Sequence, residues 1–232
     1  MVDRREITPR ECVIVDFDNT LININSTLHL LKFLLKKTSR RKDLSSVLSL
    51  FNIILKRKLK IISHSKLKFM ALEMATVSLS ESDWEEFAKS LLNNVNHDVV
   101  KILNGMNEEG YDIILATGAA EIIFPHFLKM FNPFPVKLLS TKLTPCYSNF
   151  KENRGEEKLR NVKAYLQQTK SSCHSVISDH SEDLPLFKIS SGNNYLINPS
   201  KNSLLKIKKE FPHLKASSLG NSIYKFGQPN SK

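Results

Sequence analysis

The chain has 232 residues, 41% hydrophobic and 25% charged, with 7 Gly and 9 Pro. This globular composition excludes disorder as the main state, along with collagen-like and low-complexity classes, and it allows one generous domain or a core with a smaller insert. The net charge of +11 is local: between Lys32 and Lys68 stand twelve Lys or Arg and one acid, Asp43, an excess equal to that of the whole chain.

Cys12, Cys146 and Cys173 show neither CxxC nor metal-ligand spacing, and their odd number argues against a disulfide framework. The first residues, MVDRREITPRE, are charged and lack the apolar stretch of a secretory signal. The most apolar segment, 44–55, is broken by Ser45, Ser46, Ser49 and Asn52, so no bilayer-spanning helix is expected. A cytoplasmic protein, at most peripheral to a membrane, is the expectation.

In chain order, residues 12–16 (CVIVD) form a short apolar run ending in an acid and predict a buried strand. A helical pattern covers 26–38, with Ser26 or Thr27 as N-cap, and recurs over 43–58 and about 63–76. Ser80 and Asp83 have the spacing of a capping box and open a fourth helix. No strand-like alternation occurs from 26 to 95. Residues 25–96 are therefore predicted as an all-helical insert, and 1–24 with 97–232 as the core. Next come a helix over 99–109, stopped by Gly110, and a buried strand over 111–116. Thr117-Gly118 is predicted as a turn and 119–130 as a helix ending before Pro133. A strand over 136–140 precedes a polar connection, 144–154, with strand or hairpin potential. Helix 156–168, strand 174–179, short helix 183–190, strand 194–198 and helix 202–210 complete the pattern, and the tail after Leu219 is expected to fray.

Strands alternating with helices predict an α/β fold: a Rossmann-like parallel sheet core with an inserted all-helical cap domain. Sites in such sheets lie beyond the carboxyl ends of the strands. Asp16, Thr117-Gly118 and Asp179 all sit at strand ends and should converge there.

Asp16-Phe17-Asp18-Asn19-Thr20 places two carboxylates at the tip of a buried strand, a costly arrangement without a cation or partner. As an alternative, the segment is simply a turn with Asx capping. Asp179-His180-Ser181-Glu182-Asp183 is a second acidic cluster, able to complete an oxygen site for Mg²⁺ or to complement a helix dipole. Thr117 and Gly118 offer a hydroxyl and backbone N–H groups ahead of a helix, suited to an anion. Lys158 supplies a compact positive charge early in a helix.

Taken together, DFDNT, ATG, Lys158 and SDHSEDLP resemble, in order and spacing, the four motifs of the haloacid dehalogenase (HAD) superfamily of phosphohydrolases. The resemblance covers roughly residues 12–200, and SDHSEDLPLF together with the helical insert is similar to the phosphoserine-phosphatase-like branch. It implies Asp16 as nucleophile, forming an aspartyl phosphate, and Asp18 as general acid and base. It implies Mg²⁺ as cofactor, held by Asp16, the Asp18 carbonyl and Asp179. Thr117, Gly118 and Lys158 would bind the phosphoryl oxygens, Asp183 would orient Lys158 or metal-bound water, and Asn19 and Thr20 would shape the turn.

Two positions depart from the pattern. Asn25 stands about where phosphoserine phosphatases carry a substrate-binding Glu, which tells against phosphoserine as substrate. His180 replaces a small residue and is expected to point to solvent. The resemblance thus implies a Mg²⁺-dependent phosphomonoesterase acting on a small organic or lipid phosphate. The rivals are a catalytically silent module that binds membrane or partner, and a phosphotransferase. The basic, Leu- and Ile-rich insert fits either peripheral contact with anionic lipid or a solvated face over a helical core. Nucleic acid fits less well, since the insert has few aromatics for stacking.

Overall fold

The central strand shows why the sheet must be covered on both sides. In β1 (Glu11–Val15), Val13 and Val15 enter one hydrophobic core while Cys12 and Ile14 enter another. A strand apolar on both faces is stable only between two layers. The computed structural model describes residues 10–216 and 223–227. The charged first nine residues, on which the reading against a secretory signal mostly rests, lie outside the described residues.

Strands β2 (Asp112–Ala120) and β4 (Ser172–Ser178) flank β1 in parallel. Outside them lie β3 (Val136–Thr141) and β5 (Asn194–Ile197), also parallel. Two further strands, β6 (Lys215–Ala216) and β7 (Ile223–Phe226), run antiparallel and complete the order β3-β2-β1-β4-β5-β7-β6. The architecture is the predicted α/β sheet with a helical insertion. The tail does not fray throughout: Ile223 and Phe226 are buried, and their strand seals one edge of the sheet.

Between β1 and β2 come helices α1 (Ser26–Arg40), α2 (Leu44–Lys58), α3 (His64–Ser78), α4 (Glu81–Leu92) and α5 (His97–Glu108). Each begins at a side chain that accepts a backbone N–H: Asn25, Asp43, Ser63, Ser80 and Asn96. Ser80 and Asp83 form the predicted capping box. The cap of α1 is Asn25; Ser26 and Thr27 are buried within its first turn. The apolar faces of these helices and of α6 (Phe124–Met130) join one core on one face of the sheet. Helices α7 (Glu156–Thr169), α8 (Leu184–Phe187) and α9 (Lys201–Glu210) cover the other. Among the described residues no helix is long and apolar enough to cross a membrane.

Three further sequence expectations are corrected. Strand β2 runs on to Ala120, so Thr117-Gly118 lies in an irregular strand extension and not in a strand–helix turn. The expected helix over 119–130 starts only at Phe124, after a 3₁₀ turn at Glu121–Ile123. The connection 144–154 forms no strand or hairpin; it holds a single 3₁₀ turn, Tyr147–Asn149.

Phe17, between the two motif aspartates, is fully buried and packs edge-on against Phe124 and Phe127, with ring centroids 5.0 Å away in each case. This aromatic cluster anchors the loop that presents Asp16 and Asp18. Phe17→Ala should lower stability by about 3–5 kcal/mol through lost burial and a residual cavity. Urea unfolding measures this; a loss under about 1 kcal/mol would mean the loop is held elsewhere.

Candidate active site

The loop after β1 turns back tightly on itself. Ile22 N–H donates to the Phe17 carbonyl at 3.0 Å and Leu21 N–H to that of Asp16 at 3.3 Å. The turn forces Asn19 into the left-handed region, φ +56°, which Asn tolerates better than most residues. Thr20 is fully buried inside the turn, and its hydroxyl has no hydrogen-bond partner among the described residues. The fold thus leaves both aspartates at the crevice floor. Asp18 Oδ1 accepts the Ser26 N–H at 2.9 Å, at the start of α1. Burial raises the Asp18 pKa, and the Ser26 contacts oppose this.

Lys158 joins three elements. It enters from the first turn of α7, behind Gly155, whose φ of +54° favours glycine at the N-cap. Its Nζ donates to Asp16 Oδ1 at 3.0 Å and to Asp183 Oδ2 at 2.9 Å. Ser178 Oγ donates to the same Asp183 oxygen at 2.6 Å. Burial works against the Lys158 charge, but Asp16 and Asp183 outweigh it and hold the ammonium protonated well above its usual range. Asp16 is raised by burial, and then by Asp183 and Asp18, against the pull of Lys158.

Asp179 lies at the tip of β4, with its pKa raised to about 7 by burial and by the charges of Asp16 and Asp183. His180 does not simply face solvent: it is half-buried and its Nδ1 accepts the Glu182 N–H at 3.2 Å. Among the described residues no three His, Cys, Asp or Glu side chains cluster as a ready metal cage. The donor set nevertheless suits Mg²⁺, which needs only one or two carboxylates and keeps several waters. Asp16 and Asp179 are hard oxygen donors whose charges oppose each other, a conflict that a cation between them relieves.

Thr117 and Gly118 form the opposite wall. Thr117 Oγ1 accepts the Ala119 N–H at 3.0 Å, so that N–H is not open to an anion and no long helix dipole stands behind it. The segment is fixed by Asn153, whose side-chain Nδ2 donates to the carbonyls of Thr117 at 3.1 Å and Leu139 at 2.7 Å. The Gly118 carbonyl accepts from Thr141 Oγ1 and from Lys68 Nζ, each at 2.7 Å. Lys68 comes from α3 and is only 4% exposed; it also pairs with Glu152 at 2.8 Å. Sequence reasoning counted Lys68 as one of a basic run and missed Asn153 altogether.

All the predicted site residues except Thr20 line one crevice, namely Asp16, Asp18, Thr117, Gly118, Lys158, Asp179 and Asp183. Thr20 supports the loop from below. His64, Lys68 and Arg154 line the same crevice, with Arg154 in a bidentate pair with Glu182.

A mostly parallel sheet with strand-tip carboxylates around the buried Lys158, beside a helical insertion, has the build of an α/β enzyme. The chain belongs to the haloacid dehalogenase-like hydrolases, whose family model matches residues 13–188. Among solved structures, a protein of unknown function from Bordetella pertussis Tohama I matches with TM-score 0.68 and 17% identity, over 88% of this chain and 96% of that one. A probable phosphoserine phosphatase from Vibrio cholerae matches with TM-score 0.58 and 9% identity, over 85% of this chain and 60% of that one. A substrate-bound phosphoserine phosphatase matches with TM-score 0.56 and 11% identity, over 87% and 91%. At these identities the likeness is one of fold. No curated protein matches the chain by sequence.

The raised Asp179 pKa has a consequence for stability. A carboxylate whose folded pKa exceeds its unfolded value binds protons more tightly when folded, so stability falls as pH rises between the two values. For Asp179 that window runs from 3.8 to about 7. In EDTA, Asp179→Asn should match the wild type near pH 4 and become progressively more stable than it up to about pH 7. Thermal unfolding across this range tests it, and a pH-independent difference would contradict it.

Proposed function

We propose that this hydrolase is a Mg²⁺-dependent phosphomonoesterase that carries the phosphoryl group on Asp16. The observation behind this reading is the Lys158 ammonium, 3.0 Å from Asp16 Oδ1, in a crevice also lined by Asp18, Thr117, Gly118 and Asp179. Lys158 takes one carboxylate oxygen and leaves Asp16 Oδ2 for attack. In the first step Asp16 bonds to phosphorus and the ester P–O bond breaks. Asp18 gives its proton to the departing oxygen. In the second step water attacks phosphorus and loses a proton to Asp18. The bond to Asp16 then breaks, releasing inorganic phosphate. The raised pKa of Asp18 suits this double role.

Lys158, the Gly118 N–H and the Thr117 hydroxyl hold the phosphoryl oxygens. Because Thr117 Oγ1 already accepts the Ala119 N–H, its own proton is free to be donated outward. Asp183, fixed by Ser178, positions Lys158. Mg²⁺ would be held by Asp16, Asp179 and the Asp18 carbonyl, and when bound it would offset phosphoryl charge.

The crevice wall favours an organic phosphate without an amino group near the ester. Asn25 has its Oδ1 engaged by the Leu28 N–H. The nearby acids, Glu152 and Glu182, are paired with Lys68 and Arg154. No uncompensated carboxylate on this wall is left for an ammonium, which weighs against phosphoserine.

Asp16→Asn should abolish phosphate release from a generic phosphate ester while the protein stays folded, because an amide cannot form the acyl phosphate. Wild-type turnover by this variant would remove Asp16 from the nucleophile role. Activity should vanish in EDTA, return with Mg²⁺, and return poorly with Ca²⁺, which takes more ligands at longer distances. Full activity in EDTA would eliminate the metal.

Asp18→Asn should slow alkyl phosphates far more than aryl phosphates. General acid catalysis is worth about 10²–10⁴-fold, and a good leaving group needs less of it. Equal losses for both would take the acid role from Asp18.

A further inference from the structure

Helix α2 carries two apolar faces, and only one is covered. Leu50 and Ile53 point inward and are buried within the insert. On the other side Leu44, Leu48, Phe51 and Leu55 recur every three or four residues and are 72%, 69%, 56% and 55% exposed. Beyond the helix, Leu59 and Ile61 prolong this exposure at 60% and 66%. A lone exposed leucine needs no explanation, but six large apolar side chains along one helix and its exit turn mark a contact surface.

Charge selects what contacts it. Residues 40–42 are all basic, four of the five residues 56–60 are Lys or Arg, and no acid occurs between Asp43 and Glu73. Not every basic residue of the insert is available: Lys37 and Arg41 are tied to Asp83, and Lys68 to Glu152. Lys42, Lys58 and Lys60 remain exposed around the stripe. Two copies of this face would set mostly like charges against each other, with Asp43 at the N-cap of α2 and Glu73 beside the helix as the nearby acids. An anionic lipid surface takes both features at once: the apolar side chains enter the headgroup boundary and the cations rest on lipid charge.

We propose that the outer face of α2, with Leu59 and Ile61, docks the protein on anionic bilayers. Ile61 lies three residues before His64, which lines the crevice, whereas none of the stripe's own residues does. The proposal does not depend on the phosphatase reading, because docking is measured without turnover.

Flotation with phosphatidylcholine vesicles, with and without phosphatidylserine, tests it. The wild type should rise only with the phosphatidylserine vesicles, and added salt should release it. Leu48→Ser/Phe51→Ser/Leu55→Ser should cut the bound fraction at least about tenfold, as should Lys56→Glu/Lys58→Glu/Lys60→Glu. All three apolar residues are exposed, so circular dichroism and hydrolysis of a small soluble phosphate should be unchanged. A wild type that stays at the bottom of the gradient overturns the proposal, and so does undiminished flotation of the serine variant. Light scattering that finds a wild-type dimer, lost in the serine variant, would assign the stripe to a second copy instead and equally overturn it.

Discussion

The ammonium of Lys158, held between Asp16 and Asp183, is the contact on which the rest of the site depends. Three separate pieces of chain meet there: the tip of β1, the first turn of α7 and the segment after β4. Lys158 and Asp183 are buried and Asp16 nearly so, and the two carboxylates are tolerable there because the ammonium stands between them. Removing Lys158 would leave Asp16 and Asp183 uncompensated, a loss that commonly destabilises by about 3–5 kcal/mol. The groups proposed for chemistry are therefore also structural groups.

Around this contact the charges do not balance. Asp16, Asp18, Asp179 and Asp183 face the crevice with Lys158, while Lys68 and Arg154 are already committed to Glu152 and Glu182. A surplus of negative charge at buried strand tips is a standing cost to the fold, and the raised pKa values of Asp16, Asp18 and Asp179 are its signature. In the proposed reaction a divalent cation would offset that surplus, and a phosphate brought with it would meet the remaining donors on the Thr117 side. The site is thus electrostatically unfinished by itself.

Much of this was legible from residue order because the informative features are local. An apolar run ending in Asp16 or Asp179 announces a strand tip, and helical periodicity with the Ser80–Asp83 capping box announces the insert. Lys158 was legible only by resemblance, since a single lysine early in a helix is commonly solvated. The Thr117-Gly118 turn was misread because strand pairing with β3 and the Asn153 and Thr141 hydrogen bonds, all long-range, keep the backbone extended. Lys68 and Asn153 were hidden for the same reason. Their roles exist only once elements distant in sequence are brought together, and a basic run or a polar loop carries no trace of which member will be buried.

The far edge of the sheet has its own consequence. Strand β5 is buried along its whole length, with Tyr195, Leu196 and Ile197 inside the two cores. Left as the last strand, it would offer a row of open amides and carbonyls beside apolar side chains, the kind of border on which foreign strands add and precipitate. Strand β7 occupies that border, and among the described residues β6 pairs with its far side. Strand β7 therefore guards solubility: its hydrogen bonds to β5 decide whether that border is closed or left open to foreign strands.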